Sequence, residues 1–281
     1  MQVFNIDLKN EYPFLNKDGA NPTVTAYIQA EDIKRECGWK EFTRPAMVVC
    51  PGGAYAFCST RESEPIALNF LNMGFNVFVL NYSVKPYKFP QAIREVACTF
   101  DLINKNCEKW NIDTSRTAIC GFSAGGHLAA SYCTLADCDE VTSVIKAPKI
   151  SAAVLCYPVI SGDPDFTHID SIKNISGSET ITEEVKQKFS LEKHVSKGIT
   201  PQTFIWHTAA DESVPVRNST EYANALAKEG ISFEMHILPF GGHGLSTCDK
   251  QTCTGYKDET LLYDGVWLDL VKRWFKKVFD L

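Results

Sequence analysis

The sequence has no long hydrophobic run, no excess of positive charge and no low-complexity stretch, and each absence excludes a class of protein. No run approaches the roughly 18 apolar residues of a membrane helix. The first residues, MQVFNIDLKNEYPF, are too polar for a signal peptide. The formal net charge of −6 argues against nucleic acid as a partner, because phosphate binding needs a basic surface. We therefore expect a cytoplasmic chain without membrane or nucleic-acid partners.

Glycine and proline are also scarce, at 17 and 13 of 281 residues, which excludes a collagen-like composition. Hydrophobic residues make up 44% of the chain and charged residues 22%, which excludes an intrinsically disordered protein. Folds of the α/β class with roughly 250 residues often form one domain. Since no linker rich in proline, glycine or serine divides the chain, we predict a single domain over residues 1–281.

Eleven cysteines raise the question of a disulfide framework, but their number is odd and most lie inside apolar runs. Examples are Cys50 in AMVVCP, Cys120 in TAICGF and Cys156 in AVLCYP. Free cysteine packs as a small hydrophobic residue, and no export signal is present, so we expect reduced thiols. Cys248 and Cys253 form the one suggestive pair, and no second pair at metal-ligand spacing accompanies them. The sequence therefore predicts no metal site and no cofactor.

Strand-like and helix-like segments alternate along the chain. The inner strand candidates are continuous apolar runs such as AMVVC and NVFVL, which are typical of parallel strands buried on both faces. This alternation predicts an α/β fold with a mostly parallel, doubly wound sheet and helices on both faces. The first two strands have no helix between them, so we expect an antiparallel edge there. The predicted strands are residues 3–8, 24–29, 46–50, 76–81, 117–120, 152–156, 203–207 and 233–238, and the predicted helices are 62–73, 91–109, 124–135, 219–228 and 266–279.

Residues 159–198 interrupt this alternation with about forty polar, helix-prone residues between two strands. Such a length exceeds that of an ordinary connection in an α/β unit. We interpret the segment as an excursion with one or two short helices that lies over the functional site like a lid. The alternative is a surface decoration remote from the site.

The most specific chemical signal is GFSAGG at residues 121–126, which matches the G-x-S-x-G pattern between a strand candidate and a helix candidate. Glycines are needed there because a nucleophile on a tight strand-to-helix turn leaves no room for flanking side chains. Such a turn places Ser123 Oγ above the sheet. It also places the Ala124 N–H at a helix N-terminus, where it can stabilise an oxyanion. Ser123 is therefore the candidate nucleophile.

A nucleophilic serine needs a base, and the base needs an orienting acid. His243 lies in the glycine-flanked loop GGHG after the last strand candidate, so its imidazole can reach across the top of the sheet. Asp211 follows the strand candidate 203–207, at the end of the sheet where ligands bind in open α/β folds. The order Ser123, Asp211, His243 is that of nucleophile, acid and base in this fold.

Each of these two roles has a competing residue. Glu212 is adjacent to Asp211 and competes as the acid, although a carboxylate at a helix start is also explained by the helix dipole. The strand-to-helix turn around Ser123, residues 121–125, is called the elbow below. His127 is four residues beyond Ser123 and is expected to pack or cap its helix. His207 ends a strand candidate, where a core or supporting role is expected.

A second oxyanion donor is expected from PGGAY at residues 51–55, directly after the strand candidate 46–50. Its glycines, Gly52 and Gly53, let the backbone approach the substrate and turn N–H groups inward. Tyr55 and Phe122 are bulky residues near the elbow. We expect both to contact the substrate and to keep its acyl group short.

Together these motifs resemble the α/β-hydrolase fold of the esterase/lipase class, and they are similar to bacterial carbohydrate esterases of the acetyl-xylan type. The similar stretches are PGGAY, RESEPIALNFLNMGFNVFVLNYSV, GFSAGGHLAAS, TFIWHTAADESVPV and FGGHGLS. The loop reads PGGA where related esterases have HGGG, which is a departure from their pattern. The resemblance implies an eight-stranded sheet, a catalytic triad and a backbone oxyanion hole. On this chain these are Ser123, Asp211 and His243, and the N–H groups of Gly53 and Ala124 with Gly52 beside them.

These expectations point to a serine esterase that cleaves short acyl groups, acetate above all, from a sugar or small oligosaccharide. The alternative is an amide hydrolase of the arylformamidase or peptidase kind that uses the same residues. A non-catalytic binding protein is disfavoured, because the set of serine, acid and histidine is complete. The expected partner is a small-molecule ester, and a homodimer is compatible with the sequence.

Overall fold

One eight-stranded sheet organises the chain, in a computed structural model that describes residues 1–16, 18–30, 43–253, 261 and 263–281. The strand order is β1-β2-β4-β3-β5-β6-β7-β8. The first two strands pair antiparallel, and β2 pairs antiparallel with β4, whereas every pairing from β4 through β3 to β8 is parallel. The strands are β1 (Gln2–Asp7), β2 (Thr23–Ile28), β3 (Arg44–Cys50), β4 (Asn76–Asn81), β5 (Ile112–Phe122), β6 (Ala152–Cys156), β7 (Gln202–Thr208) and β8 (Phe233–Leu238).

The described helices are four short or peripheral ones and five that cover the sheet. Those that cover the sheet are α2 (Glu64–Asn72), α3 (Gln91–Lys105), α4 (Ala124–Leu135), α8 (Arg217–Lys228) and α9 (Val266–Phe279). The others are α1 (Leu8–Glu11), α5 (Asp139–Thr142), α6 (Ile169–Ser176) and α7 (Glu183–Phe189), and single 3₁₀ turns lie at Pro13–Asn16, Thr60–Glu62 and Leu191–Lys193.

Two hydrophobic layers sandwich the sheet, because successive residues of a strand point to opposite faces. In β3, Ala46, Val48 and Cys50 pack in the layer that contains α3, α4 and α8. Met47 and Val49 pack in the layer that contains α2 and α9. All seven residues of β3 are buried, as the continuous apolar run in the sequence predicts. The predicted α/β-hydrolase architecture and its antiparallel edge are therefore confirmed.

Several predicted elements differ from the structure by one or two residues at an end, and three differ in larger ways. The predicted helix 62–73 is a 3₁₀ turn followed by α2, because Ser63 adopts φ −105° and ψ −100° and breaks the helix between them. Helix α3 ends at Lys105, and the amide of Asn106 caps it by donating to Leu102 O at 2.9 Å. Strand β5 begins at Ile112, five residues before the predicted strand 117–120.

The excursion of residues 159–198 contains α6, α7 and a 3₁₀ turn, so the prediction of short helices is confirmed. Asn174 of α6 donates a hydrogen bond to Ala54 O at 2.9 Å, in the loop after β3. Phe189 O, at the end of α7, lies 3.3 Å from His127 Nε2 in α4. The excursion therefore packs against the loop after β3 and against α4, the helix that follows Ser123.

Two further expectations concern the cysteines, expected to be reduced, and membrane-spanning helices, of which none is expected. The ten cysteines within the described ranges are all free, and Cys37 lies outside the described residues. No described helix has the length and apolar character needed to cross a membrane.

Candidate active site

Ser123 lies on a sharp turn between β5 and α4, with φ 54° and ψ −119°. Residues that carry a side chain rarely adopt this conformation. The flanking glycines are required by their surroundings. A Cβ on Gly121 would collide with Gly125 O, and a Cβ on Gly125 would collide with Cys50 O. The glycines of the G-x-S-x-G pattern therefore allow β3, β5 and α4 to approach one another closely beneath the serine.

The three residues singled out by the sequence lie in hydrogen-bond contact. Ser123 Oγ is 2.7 Å from His243 Nε2, and His243 Nδ1 is 2.6 Å from Asp211 Oδ2. With the ring proton on Nδ1, His243 donates to Asp211, and its Nε2 accepts the hydroxyl proton of Ser123. Ser123 follows β5, Asp211 follows β7 and His243 follows β8, so all three stand at the carboxyl edge of the sheet.

Asp211 is buried and accepts hydrogen bonds on both carboxylate oxygens. Oδ1 accepts from the N–H groups of Ser213 and Val214, at 3.0 and 2.9 Å. Oδ2 accepts from His207 Nε2 at 3.2 Å as well as from His243. Burial alone would raise the pKa of Asp211, but the hydrogen bonds from His207 and His243 and the charge of His243 hold it well below its ordinary value. Asp211 is therefore ionised at neutral pH.

The competing residues lie elsewhere. Glu212 is exposed to solvent, and it is Asp211 that meets His243. His127 is fully buried in α4, with Nδ1 2.9 Å from Tyr55 Oη and Nε2 3.3 Å from Phe189 O. Burial lowers the pKa of His127 to about 4. A neutral ring with both nitrogens engaged has a packing role, as the sequence predicts for this histidine.

Two backbone N–H groups near Ser123 are available to an oxyanion. Ala124 is the first residue of α4, so its N–H has no acceptor inside the helix. Gly53 has φ 131°, and its N–H makes no hydrogen bond within the described part of the chain. Gly52 differs from the expectation, because its N–H donates to Glu62 Oε2 at 2.7 Å. The N–H of Gly52 is therefore engaged by the protein itself.

The two side chains expected to contact the substrate are both buried. Phe122 ends β5 and packs in the layer of α2 and α9, with its ring centroid 5.8 Å from that of Tyr157 and 6.2 Å from that of Trp267. Tyr55 lies in the opposite layer, with its hydroxyl on His127. Neither side chain has a free surface for a substrate, so both support the site from beneath.

Sequence reasoning missed Glu62, which is buried beside the site. Its Oε1 accepts a hydrogen bond from the hydroxyl of Tyr157 at 2.6 Å, and its Oε2 accepts from Gly52. Burial raises the pKa of Glu62, and the hydrogen bonds from Tyr157 and Gly52 oppose that rise. In RESEPIA this glutamate has charged and polar neighbours, which is typical of a solvated turn and carries no signal of burial.

Comparison with known proteins shows which family and fold the chain resembles. The profile of the BD-FAE family matches residues 36–226. The chain is 37% identical over 262 residues to endo-1,4-beta-xylanase B of Butyrivibrio fibrisolvens, and 30% identical over 226 residues to acetylxylan esterase of Xylanibacter ruminicola. These alignments cover 90% and 79% of this chain. They cover 39% and 45% of the relatives, so the chain spans less than half the length of either protein.

A solved structure extends the similarity over the whole chain. The acetyl ester-xyloside bifunctional hydrolase of Caldicellulosiruptor lactoaceticus is 34% identical and superposes with a TM-score of 0.80. The alignment covers 98% of this chain and 96% of that one. These matches confirm the resemblance to acetyl-xylan-type esterases and the predicted fold. The chain belongs to the BD-FAE family, and its fold is that of the α/β-hydrolases.

Proposed function

We propose that this chain hydrolyses short acyl esters, acetyl esters above all, of sugars or small oligosaccharides through an acyl-enzyme on Ser123. The observation that carries the proposal is the unbroken hydrogen-bond chain from Ser123 through His243 to the ionised Asp211. The relatives named for acetylxylan and acetyl ester-xyloside substrates support the acetyl group and the carbohydrate. The cytoplasmic location and the homodimer stay predictions.

The first half of the reaction acylates the serine. Ser123 Oγ attacks the carbonyl carbon of the ester while its proton moves to His243 Nε2, and the Asp211 carboxylate stabilises the resulting imidazolium. The negative charge on the carbonyl oxygen is placed between the N–H groups of Gly53 and Ala124. The C–O bond to the alcohol then breaks, and the leaving oxygen takes the proton from His243.

The second half releases the acid. Water enters where the alcohol has left, and His243 Nε2 removes its proton as its oxygen attacks the acyl carbon. The same two N–H groups stabilise the second tetrahedral intermediate. The bond from the acyl carbon to Ser123 Oγ breaks, and His243 returns the proton to the serine. One ester and one water thus become one alcohol and one carboxylic acid.

Phe57 is the side chain that we assign to the alcohol side of the substrate, whereas Tyr55 and Phe122, expected to limit the acyl side, are buried. It is 59% exposed. A Cβ built on Gly53 would lie 3.1 Å from Phe57 Cδ2, so the ring lies directly beside the oxyanion turn. An exposed aromatic ring next to the reacting carbonyl offers an apolar face to the C–H groups of a sugar ring.

A substrate panel tests the proposal. We expect kcat/KM to fall steeply from p-nitrophenyl acetate to the octanoate, because a longer acyl chain outgrows its pocket. Acetylated xylo-oligosaccharides should be hydrolysed, and N-formyl anilides should react poorly. Equal activity on octanoyl esters would contradict the short acyl pocket, and faster hydrolysis of the anilide would favour the amide hydrolase.

Phe57→Ala tests the alcohol side separately. We expect a loss of several-fold in kcat/KM for acetylated xylo-oligosaccharides, and little change for ethyl acetate, which has no ring to stack. The matched control is Phe233→Ala. Phe233 is 36% exposed and is the first residue of β8, at the end of that strand away from His243. An equal loss on both substrates would remove Phe57 from the alcohol side.

Covalent labelling tests the nucleophile. An organophosphonate should form one adduct on the peptide that carries Ser123, and Ser123→Ala should abolish the adduct and lower turnover by several orders of magnitude. The fold should survive this change, because one small side chain loses only its oxygen. An adduct on a different serine would exclude the proposed nucleophile.

A further inference from the structure

The 3₁₀ turn Thr60–Glu62 joins the two loops that flank Ser123. On one side, Arg61 Nη1 donates to Gly244 O at 3.1 Å, in the loop that carries His243. The carbonyl of Arg61 also accepts a hydrogen bond from Ser246 Oγ at 2.6 Å. The side chain and the backbone carbonyl of Arg61 thus connect this turn to the loop that carries His243.

Glu62 makes the connection to the other loop. Its Oε2 accepts the N–H of Gly52 at 2.7 Å, one peptide before the proposed oxyanion donor Gly53. The fit is close, because a Cβ on Gly52 would lie 2.7 Å from Glu62 Oε2 and 2.9 Å from Phe122 O. The carboxylate therefore fixes the peptide between Pro51 and Gly52, and the N–H of Ser59 holds the next peptide by donating to Gly52 O at 2.9 Å. The Gly53 N–H belongs to that second peptide, so Glu62 acts on it through Gly52.

The other oxygen of Glu62 contacts Tyr157, whose ring packs beneath His243. Its Oε1 accepts from the Tyr157 hydroxyl at 2.6 Å, and the same hydroxyl accepts the N–H of Ser246 at 2.9 Å. The Tyr157 ring lies under His243, edge to face, with ring centroids 5.1 Å apart. One buried carboxylate thus connects the oxyanion turn with the support of the base.

This arrangement requires an acceptor at both oxygens. An ionised carboxylate accepts on each side, whereas an amide of the same shape presents N–H₂ to one of the two donors. A donor facing a donor in a buried site loses a charge-assisted hydrogen bond and leaves a polar group unsatisfied. Glutamine at position 62 therefore keeps the shape of the side chain, loses its charge, and either breaks the contact with the Gly52 N–H or reverses the hydrogen bond of the Tyr157 hydroxyl.

We propose that Glu62 is a positioning residue for ester hydrolysis, which aims the Gly53 N–H at the oxyanion and fixes the support beneath His243. The proposal rests on the proposed function of the Ser123 site. Glu62 touches no reacting atom and acts through Gly52 and Tyr157. It should therefore affect the transition state, in which the oxyanion forms, much more than the binding of the ester.

The experiment compares Glu62→Gln with Glu64→Gln on a short acetyl ester. Glu64 is the matched control, because it is exposed two residues later and its carboxylate accepts one 3.3 Å hydrogen bond, from the hydroxyl of Tyr27, within the described residues. For Glu62→Gln we expect kcat to fall about 10- to 100-fold, somewhat less than the loss of an oxyanion donor itself. KM should stay within about twofold, and Glu64→Gln should resemble the wild type.

A trifluoromethyl ketone provides a readout that a merely structural role would not move. Its adduct on Ser123 carries an oxyanion, so its inhibition constant should rise in Glu62→Gln in parallel with the fall in kcat/KM. A folded Glu62→Gln variant with unchanged kcat, or with a change confined to KM or Tm, would overturn the proposal.

Tyr157→Phe provides a second variant that keeps the ring under His243 and removes only the hydroxyl. If Glu62 acts through Tyr157, the double variant should lose much less activity than the product of the two single losses. Independent losses would overturn the connection through Tyr157. If Glu62→Gln does not fold, Tyr157→Phe is measured alone, and an unchanged kcat in that variant would likewise overturn this connection. Phosphonate labelling separates the two proposals, because failure to label Ser123 in the wild type would refute the proposed function rather than the role of Glu62.

Discussion

Two buried aspartates flank the loop that carries His243, and they differ in their hydrogen bonds and in the direction in which their pKa is shifted. Asp211 accepts four hydrogen bonds, and its pKa is held well below the ordinary value despite burial. Asp264 lies just before α9, and neither of its oxygens has a hydrogen-bond partner among the described residues. Burial raises the pKa of Asp264 to about 6. Gly241 is the close neighbour, since a Cβ there would lie 2.6 Å from Asp264 Oδ2.

The difference shows that hydrogen-bond donors, and not burial, decide whether the charged form of a buried carboxylate is stabilised. Burial disfavours the charged form in both cases. At Asp211 the N–H groups of two residues and the rings of two histidines reverse that effect, which yields the permanent anion that an orienting acid must be. At Asp264 no donor from the described residues offsets it, so the charge costs folding free energy at neutral pH.

Removing the charge of Asp211 should have the largest effect. Asp211→Asn should keep the fold but disfavour the productive tautomer of His243, and kcat should fall by about 10⁴-fold, as in other triads. Steady-state kinetics on p-nitrophenyl acetate measures the loss. Glu212→Gln is the neighbouring control and should change kcat by less than about twofold. A reversal of the two results would assign the acid to Glu212.

Removing one donor to Asp211 should have an intermediate effect. His207→Leu deletes the Nε2 contact to Asp211 Oδ2, at 3.2 Å, and the contact of the same atom to Val214 O, at 2.9 Å. Two buried acceptors and the buried Ser219 hydroxyl, 2.8 Å from His207 Nδ1, lose a partner, so urea unfolding should show a loss of about 1–3 kcal/mol in the free energy of unfolding. Activity should fall by no more than about tenfold, because His243 still reaches Asp211.

His194→Leu serves as the control for that change, since the half-buried ring of His194 lies 3.0 Å from Gln187 O and makes no contact with Asp211 in the described part of the chain. An unfolding free energy of His207→Leu equal to that of the wild type would show that the backbone N–H groups alone hold Asp211. The comparison between the two aspartates would then depend on Ser213 and Val214 and not on the buried histidine.

Removing the charge of Asp264 should have the smallest effect, and its sign should be opposite. Asp264→Asn has no charge to bury, so the free energy of unfolding at pH 7.5 should rise by about 1 kcal/mol. The value of kcat/KM should stay within about twofold. Lower stability of the variant at pH 7.5 would show that the carboxylate is stabilised in the fold.

The pH dependence of stability sharpens the same comparison. The pKa of Asp264 is raised in the folded state from 3.8 to about 6, so the folded protein holds the extra proton and the wild type loses stability as pH rises between these values. The pKa of Asp211 is lowered in the folded state, so its contribution is present above its ordinary value and disappears on acidification below it. Urea unfolding of the wild type and Asp264→Asn from pH 4 to pH 7.5 should therefore show curves that separate as pH rises.

Much of the architecture was predictable because it depends on local patterns. Continuous apolar runs predicted the buried parallel strands, and the absence of a helix between the first two strands predicted the antiparallel edge. The glycines around Ser123 and His243 indicated sharp turns at the carboxyl edge of the sheet. Once the strands are in place, that edge brings Ser123, Asp211 and His243 within hydrogen-bond distance of one another.

Helix bounds were less predictable, because one residue outside the hydrophobic pattern decides them. The predicted helix 62–73 crosses Ser63, whose backbone turns away from the helix and leaves Glu62 in a separate 3₁₀ turn. That break directs the carboxylate of Glu62 into the protein, toward Gly52. The hydrophobic period of the segment carries no information about it.

The sequence by itself determined the order of elements, the strained serine turn and the identity of the residues that meet there, because each depends on neighbours along the chain. Only the tertiary structure decided which polar groups pair in the interior. The N–H of Gly52 donates to Glu62, Tyr55 and Phe122 are buried, and Asp264 finds no donor in the ranges that the structure describes. The physical reason is distance along the chain: Glu62 and Tyr157 are 95 residues apart, and packing alone brings them together.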